Sequence, residues 1–386
     1  MLSRATAIVF LLLTYLFAPC GFFVSFLRRH TGLARRTFSP RFLIIQSARI
    51  GDMVCVTPAF REIKKRYPTA YIATVVAEPA AGISAHNPHI DEFFYYDPAR
   101  TLCSAIRLFV VLALKRFDYA LNFFPGPLGN ALPFWLGIPF RVSTTITKAS
   151  RPLRLLFPFS NIRLCYKKED PAQEHHLKLL RTVGITAPDG RREVFKAPQA
   201  EGRVRDFLAH AGVTPQTMLV GIGIGCGKNF RKWPIERFAE VADWMLGRYA
   251  VHIVLVGGEE DEGDAARFFA MTRQKDRVHN AVGVFGVADL PALFSRIALF
   301  ISVSTGPLYI ADAMGCKTID IIGTDSAVNQ APQGQCIVVQ RDDFPSCSYV
   351  MYPPECSPQL IAARMDIPVA QVQDAVSRLL SSSYVS

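Results

Sequence analysis

The chain has 386 residues, half of them hydrophobic, which is long for one core and predicts two domains of ordinary size. Its net charge is +11, and residues 1–66 hold eleven basic side chains against two acids beside an apolar segment, a distribution that points to an anionic membrane surface and away from nucleic acid. Nine cysteines, an odd number without framework spacing, argue against a disulfide scaffold and predict reduced thiols, as in a cytosolic compartment.

The apolar segment runs from Ala5 to Leu27 without a charge. As a helix it would cover roughly 34 Å, enough for a hydrocarbon core of about 30 Å. Arg28, Arg29, Arg35 and Arg36 follow it and only Arg4 precedes it, so a spanning helix would leave the folded body at the cytoplasmic face of the inner membrane. A cleaved signal peptide is disfavoured, because Ala18-Pro19-Cys20 lies inside the apolar run. Pro19, Cys20 and Gly21 weaken the helix, and a kinked or re-entrant anchor lying in one leaflet is the alternative.

After this anchor and basic linker, residues 1–40, strand and helix patterns alternate, the mark of parallel sheets covered on both faces. Strands are predicted at Phe42–Gln46, Tyr71–Ala77, Glu92–Tyr96, Tyr119–Phe123 and Arg141–Ser143, with helices at Phe60–Tyr67, Leu102–Lys115, Leu128–Leu136 and Gln173–Val183. The polar stretch 186–202 reads as a linker between a domain at 41–200 and a second at 201–386. In the second, strands are predicted at Met218–Ile224, Val251–Val256, Leu299–Val303, Lys317–Ile322 and Cys336–Val339. Helices fall at Ile235–Arg248, Glu262–Arg273, Asp289–Arg296, Leu308–Met314 and Val369–Leu380.

Several turns at strand ends carry polar groups. Gly51 and Asp52 follow the first strand; if a helix opens at Thr57-Pro58, Asp52 stands just before it, as a reactive carboxylate or a turn cap. Gly225 and Gly227 let a phosphate approach the backbone, with Lys228, Arg231 and Lys232 supplying charge ahead of Pro234. Cys226 and Lys228 break the dinucleotide pattern G-x-G-x-x-G, which disfavours an oxidoreductase. Ser304-Thr305-Gly306 opens a helix and can hold a phosphate or simply cap it. No Asp-x-Asp closes a strand, so no catalytic metal or other cofactor is expected. Cys347 and Cys356 lack a neighbouring His and are poorly spaced for zinc, while His175 and His176 read as packing or surface residues.

In this order and spacing, the Gly51-Asp52 turn, the 225–234 segment with Lys232-Trp233-Pro234, Ser304-Thr305-Gly306-Pro307 and Gly323-Thr324-Asp325 resemble glycosyltransferase family 9, the ADP-heptose:lipopolysaccharide heptosyltransferases. The resemblance runs from about Arg41 to Leu380. It implies a GT-B fold, two Rossmann-like domains facing a cleft, with the final helix able to cross back onto the first. It further implies an inverting, metal-independent transfer of a sugar from a nucleotide-diphosphate donor to a glycolipid acceptor. Asp52 would be the general base and Lys232 the phosphate contact. An acid after the strand ending at Val256, here chosen as Glu262, would hold the ribose. The family commonly has Asp where this chain has Ser304 and His where it has Tyr309, so heptose need not be the sugar. A catalytically silent binding protein, or a nucleotide-sugar hydrolase or epimerase, are the competing readings.

Overall fold

The computed structural model describes residues 8, 9, 11–16, 18, 19, 21–23, 39–96, 102–227 and 229–381. Two compact units result, Met1–Gly190 and Arg191–Ser386, divided inside the stretch read as a linker.

The first unit holds six parallel strands: β1 (Arg41–Gln46), β2 (Tyr71–Val76), β3 (Glu92–Tyr95), β4 (Tyr119–Asn122), β5 (Phe140–Ile146) and β6 (Ile162–Tyr166), in the order β3-β2-β1-β4-β5-β6. Its helices are α1, the helical residues described among 8–23, then α2 (Ile50–Arg66), α3 (Glu78–Ser84), α4 (Leu102–Leu114), α5 (Pro127–Trp135), α6 (Arg151–Leu156) and α7 (Ala172–Arg181). Strands this apolar are buried on both faces. Phe42 and Ile44 meet Phe60, Ile63, Leu179 and Leu180, while Leu43 and Ile45 meet Leu112, Leu128 and Leu132.

The second unit repeats the plan. Its strands are β7 (Met218–Gly223), β8 (Val251–Val256), β9 (Val278–Asn280), β10 (Ile297–Val303), β11 (Lys317–Ile322) and β12 (Cys336–Gln340), ordered β12-β11-β10-β7-β8-β9. Its helices are α8 (Pro198–His210), α9 (Ile235–Arg248), α10 (Glu262–Met271), α11 (Leu290–Phe294), α12 (Gly306–Ala313), α13 (Pro358–Met365) and α14 (Val369–Ser381). In each sheet the strand order reverses between neighbours, β1 and β4 in one and β7 and β10 in the other, and the crevice beyond such a reversal is where open α/β sheets take ligands.

Four expectations change. The helix after β1 begins at Ile50, seven residues before Thr57, and carries Pro58 inside it. Proline cannot donate to the carbonyl four residues back, and that carbonyl, of Val54, instead accepts from the Thr57 hydroxyl at 2.8 Å. The final helix packs within the second unit: Val372, Ala375, Val376 and Leu380 join Met245, Leu246, Ile319 and Ile321 in one core. Cys347 and Cys356 form a disulfide, where reduced thiols were expected. The intervening loop folds back, Glu355 N–H donating to the Cys347 carbonyl at 2.8 Å, which brings the two Cα atoms to 5.1 Å.

The fourth concerns the expected anchor, part of which lies outside the described residues. Among the described residues no helix is long and apolar enough to cross a membrane. The described part of α1 instead lies on the first unit. Thr14 is buried and accepts from Trp135 Nε1 at 3.1 Å, Tyr15 and Phe22 pack edge-on to Phe159 and Phe134, and Ala18 adds to the same cluster. Leu12, Leu16 and Phe23 remain more than 60% exposed.

Candidate functional site

At the first switch point, β1 delivers Gln46 to its C-terminal end and α2 starts four residues later. Asp52 falls in the first turn of α2, half-buried, where the N-terminal dipole of a 17-residue helix favours a carboxylate. Its Oδ2 accepts from the Arg49 N–H at 3.2 Å, and Gln46 Nε2 reaches the Asp52 carbonyl at 3.4 Å. Gly51, beside it, is buried. The loop leaving β4 closes the other side: a side chain at Gly126 would stand 3.8 Å from Ser47 Oγ. Beneath that loop a buried network joins Asn122 to Ser143 and Ser143 to Asn130, each at 2.9 Å. The result is a carboxylate held by its own helix turn at the C-terminal edge of the sheet, near a buried polar network.

His175 serves packing. It is 1% exposed and meets Thr144 Oγ1 at 3.0 Å, and burial pushes its pKa down to about 4. Its neutral ring belongs to the interior.

In the second unit, Gly223 of β7 and Ser302 of β10 are register partners, so the two loops that follow leave the sheet side by side. A Cβ on Gly223 would lie 2.6 Å from Ser302 Oγ and 2.7 Å from Phe300 Cζ, and one on Gly225 would press on the Asp261 carboxylate. Lys232 is not a free cation. Its Nζ is 2.8 Å from Asp261 Oδ1 and 2.8 Å from Asp264 Oδ2. Burial works against its charge, but those two hydrogen bonds outweigh it and leave the lysine pKa raised. Arg231 is likewise engaged, 2.8 Å from Asp325 and 2.6 Å from Ser348 Oγ, the latter next to the Cys347–Cys356 disulfide. Each basic side chain therefore stands ready with a carboxylate that a bound anion would have to share or displace.

Glu262 is exposed on α10, and Asp261, one residue earlier and 2% exposed, is the acid that reaches Lys232 and the Gly258 N–H. The sequence reading named its neighbour Glu262 from this run of four acids. Lys228 lies outside the described residues. Thr305 is the N-cap of α12 with no side-chain capping bond, and Gly306 is the first helical residue, so the helix opens with backbone N–H groups at the loop. Ser304 Oγ meets Tyr309 Oη at 3.0 Å, and Tyr309 donates to the Gln330 carbonyl at 3.0 Å. Ser304, Thr305 and Gly306 are all partly accessible. Among the described residues no cluster of three His, Cys, Asp or Glu side chains is placed to hold a metal ion.

Residues 106–347 match the model of glycosyltransferase family 9 (heptosyltransferase). A relative, lipopolysaccharide heptosyltransferase 3 of Escherichia coli, is 23% identical over 339 residues, 86% of this chain and 97% of its own. Among solved structures, the glycosyl transferase family 9 protein from Veillonella parvula superimposes with a TM-score of 0.76 at 22% identity, over 90% of this chain and 99% of that one. E. coli heptosyltransferase WaaC with ADP-2-deoxy-2-fluoro heptose gives 0.65 at 16% identity, over 88% and 99%. Those likenesses carry the two-sheet fold, and a family match over more than half the chain carries the class: the protein belongs to glycosyltransferase family 9 and is a glycosyltransferase.

Proposed function

We propose that the protein transfers a heptose, or a closely similar sugar, from a nucleotide-diphosphate donor to a lipopolysaccharide-type glycolipid, with inversion at the sugar carbon. The acceptor hydroxyl attacks the anomeric carbon, its proton passes to Asp52, and the bond to the diphosphate oxygen breaks. The observation that carries this reading is the position of Asp52 in the first turn of α2 at the switch point of its sheet. A carboxylate there is reachable from the crevice and oriented by the Arg49 N–H.

For the leaving diphosphate, Lys232 and the opening N–H groups of α12 are the positive groups at the rim of the second sheet. Glu262, exposed at the start of α10, is the acid assigned to the ribose hydroxyls, since Asp261 is buried and already bonded to Lys232 and the Gly258 N–H. ADP is the proposed nucleotide, on the strength of the WaaC complex and the heptosyltransferase relative. The exposed Leu12, Leu16 and Phe23 of α1, beside the basic residues up to Arg66, support attachment to an anionic membrane surface with α1 lying on it.

The test is Asp52→Asn assayed with ADP-heptose and a truncated lipopolysaccharide. Turnover should fall by about a hundredfold or more while ADP affinity is kept. Wild-type turnover in that variant would remove Asp52 from the mechanism.

A further inference from the structure

The helix α4 carries apolar residues on two sides. Leu112 points inward and joins Leu43 and Ile45 of β1 and Leu128 and Leu132 of α5 in one buried cluster. Away from that cluster Ile106, Val110 and Leu114, spaced by four and so aligned on one helix face, are 53%, 48% and 76% exposed. Single exposed apolar residues need no explanation, but an uncovered row of three on one helix marks a surface made for contact.

The row is framed by charge of one sign. Residues 102–168 hold ten basic side chains and one acid, Asp118, a net of +9. That acid is engaged at the start of β1, where it accepts from the Arg41 N–H at 2.8 Å. Arg107 on α4, Arg116 just after it, and Arg151 and Arg154 on α6 are exposed, and among the described residues none of the four has a carboxylate partner. A second apolar row stands in the same layer of helices. The helices α4 and α5 cover one face of the sheet, and α1 packs on α5 through Phe22 and Phe134. It also lies against α6, its Tyr15 hydroxyl donating to the Leu155 carbonyl at 3.4 Å. Leu12, Leu16 and Phe23 of α1, more than 60% exposed, therefore belong to the same layer as the α4 row.

An anionic bilayer fits these features together. Arginines without carboxylates take headgroup phosphates, and the apolar side chains enter the boundary between headgroups and acyl chains. A second copy of the chain fits less well, because a symmetric contact would set arginines against arginines. We propose that the α4 row is a second lipid-contacting surface, so that the first unit docks on an anionic bilayer through α1 and α4 together and is held there in one orientation. One helix would leave the unit free to roll about its axis, whereas two separate rows define a plane. The inference rests on the membrane attachment proposed above, and it deepens that reading by naming a second contact and the acidic phospholipid headgroups that it takes.

The test is co-sedimentation of the full chain with vesicles of phosphatidylglycerol and phosphatidylcholine. Ile106→Ser/Val110→Ser/Leu114→Ser should weaken partitioning about tenfold. Arg107→Gln/Arg116→Gln/Arg151→Gln/Arg154→Gln should weaken it about tenfold at low salt and little at high salt. Both variants should keep the wild-type Tm and ADP affinity, since every altered side chain is exposed. Should the triple variant fail to fold, Leu114→Ser alone, at the most exposed position, should still lower partitioning about twofold. Wild-type partitioning in these α4 variants would overturn the proposal. So would a wild-type dimer that the triple variant turns into a monomer in ultracentrifugation, because the row would then be a protein interface. Leu12→Ser/Leu16→Ser/Phe23→Ser separates the two readings: if it abolishes partitioning while the α4 variants bind as wild type does, attachment through α1 stands and the second contact falls. A wild-type chain that ignores anionic vesicles would sink both.

Discussion

Lys232→Ala separates what the lysine does for the fold from what it does for a ligand. In the unliganded protein Lys232 neutralises Asp261, which is 2% exposed, and Asp264, which is 24% exposed. Removing it leaves the Asp261 carboxylate buried with the Gly258 N–H at 3.1 Å and without its cation. Stranding a buried charged group costs about 1 to 3 kcal/mol or more, and since Lys232 itself is a quarter exposed we expect about 2 kcal/mol. For a unit near 200 residues that is a fall of about 4 to 8 °C in Tm. Asp261→Asn in the Lys232→Ala background should restore most of it, because the stranded charge is gone. The effect is also pH-signed. With the lysine pKa raised in the folded state, the contribution is complete below the ordinary 10.5 and is lost as pH rises through the folded value. ADP binding, measured by calorimetry, should weaken by about 1 to 2 kcal/mol, less than a free lysine would give, since two carboxylates already compete for the ammonium. A variant with wild-type Tm and wild-type ADP affinity would refute both roles, and a double variant no more stable than the single would refute the stranded-charge argument.

Three further outcomes follow from the geometry. His175 is neutral inside the first unit with a pKa of about 4 against 6.5 when exposed, so stability should decline as pH falls from 6.5 toward 4, by on the order of 3 kcal/mol, and His175→Gln should flatten that slope in urea titrations at successive pH values. Cys347→Ser should lower the stability of the second unit by roughly 2 to 3 kcal/mol, from the short loop the disulfide closes, while a reductant should leave the variant's Tm unmoved. Deleting residues 1–38 should uncover Phe134, Leu156 and Phe159, lowering Tm by several degrees and raising binding of an apolar dye; unchanged values would show that α1 contributes nothing to that cluster.

The strands were legible because a sheet buried on both faces writes continuous apolar runs such as Phe42–Ile45 and Val251–Val256. Two of the four edge strands were not. The strand β6, Ile-Arg-Leu-Cys-Tyr, alternates half-buried with exposed residues over its first four positions and is only five residues long, and β9 has three residues with two polar ones. Proline misled the reading twice. Pro58 suggested a helix start where the Thr57 hydroxyl lets a helix continue, and Pro198, inside a stretch read as linker, in fact opens α8. At the candidate site the sequence brought Asp52, Gly225, Lys232 and Ser304 forward, since all lie between the C-terminal end of a strand and the body of the next helix. It could not show that Lys232 is already paired, because Asp261 and Asp264 come from a turn about thirty residues on. The sequence reading passed over Asp320, an acid within Lys-Thr-Ile-Asp-Ile-Ile that the structure buries completely.

The apolar segment before residue 28 shows how a sum over residues hides a direction. Its hydropathy treats Thr14, Ala18 and Gly21 as weak spots in an otherwise lipid-soluble helix. Placed three and four residues apart, they share one side of a helix. That side is the one the first unit covers: Thr14 accepts from Trp135, Ala18 packs on the cluster of Phe134 and Phe159, and a side chain at Gly21 would come within 2.7 Å of Phe134. Small and hydroxylated residues are what let a helix approach aromatic rings this closely, and Gly21, which argued for a kink in a membrane span, is one of the positions that dock α1. Leu12, Leu16 and Phe23 lie on the uncovered side. The same residues that make the segment look like an anchor thus divide into a packed stripe and an exposed apolar face, and the exposed face is the part available to lipid.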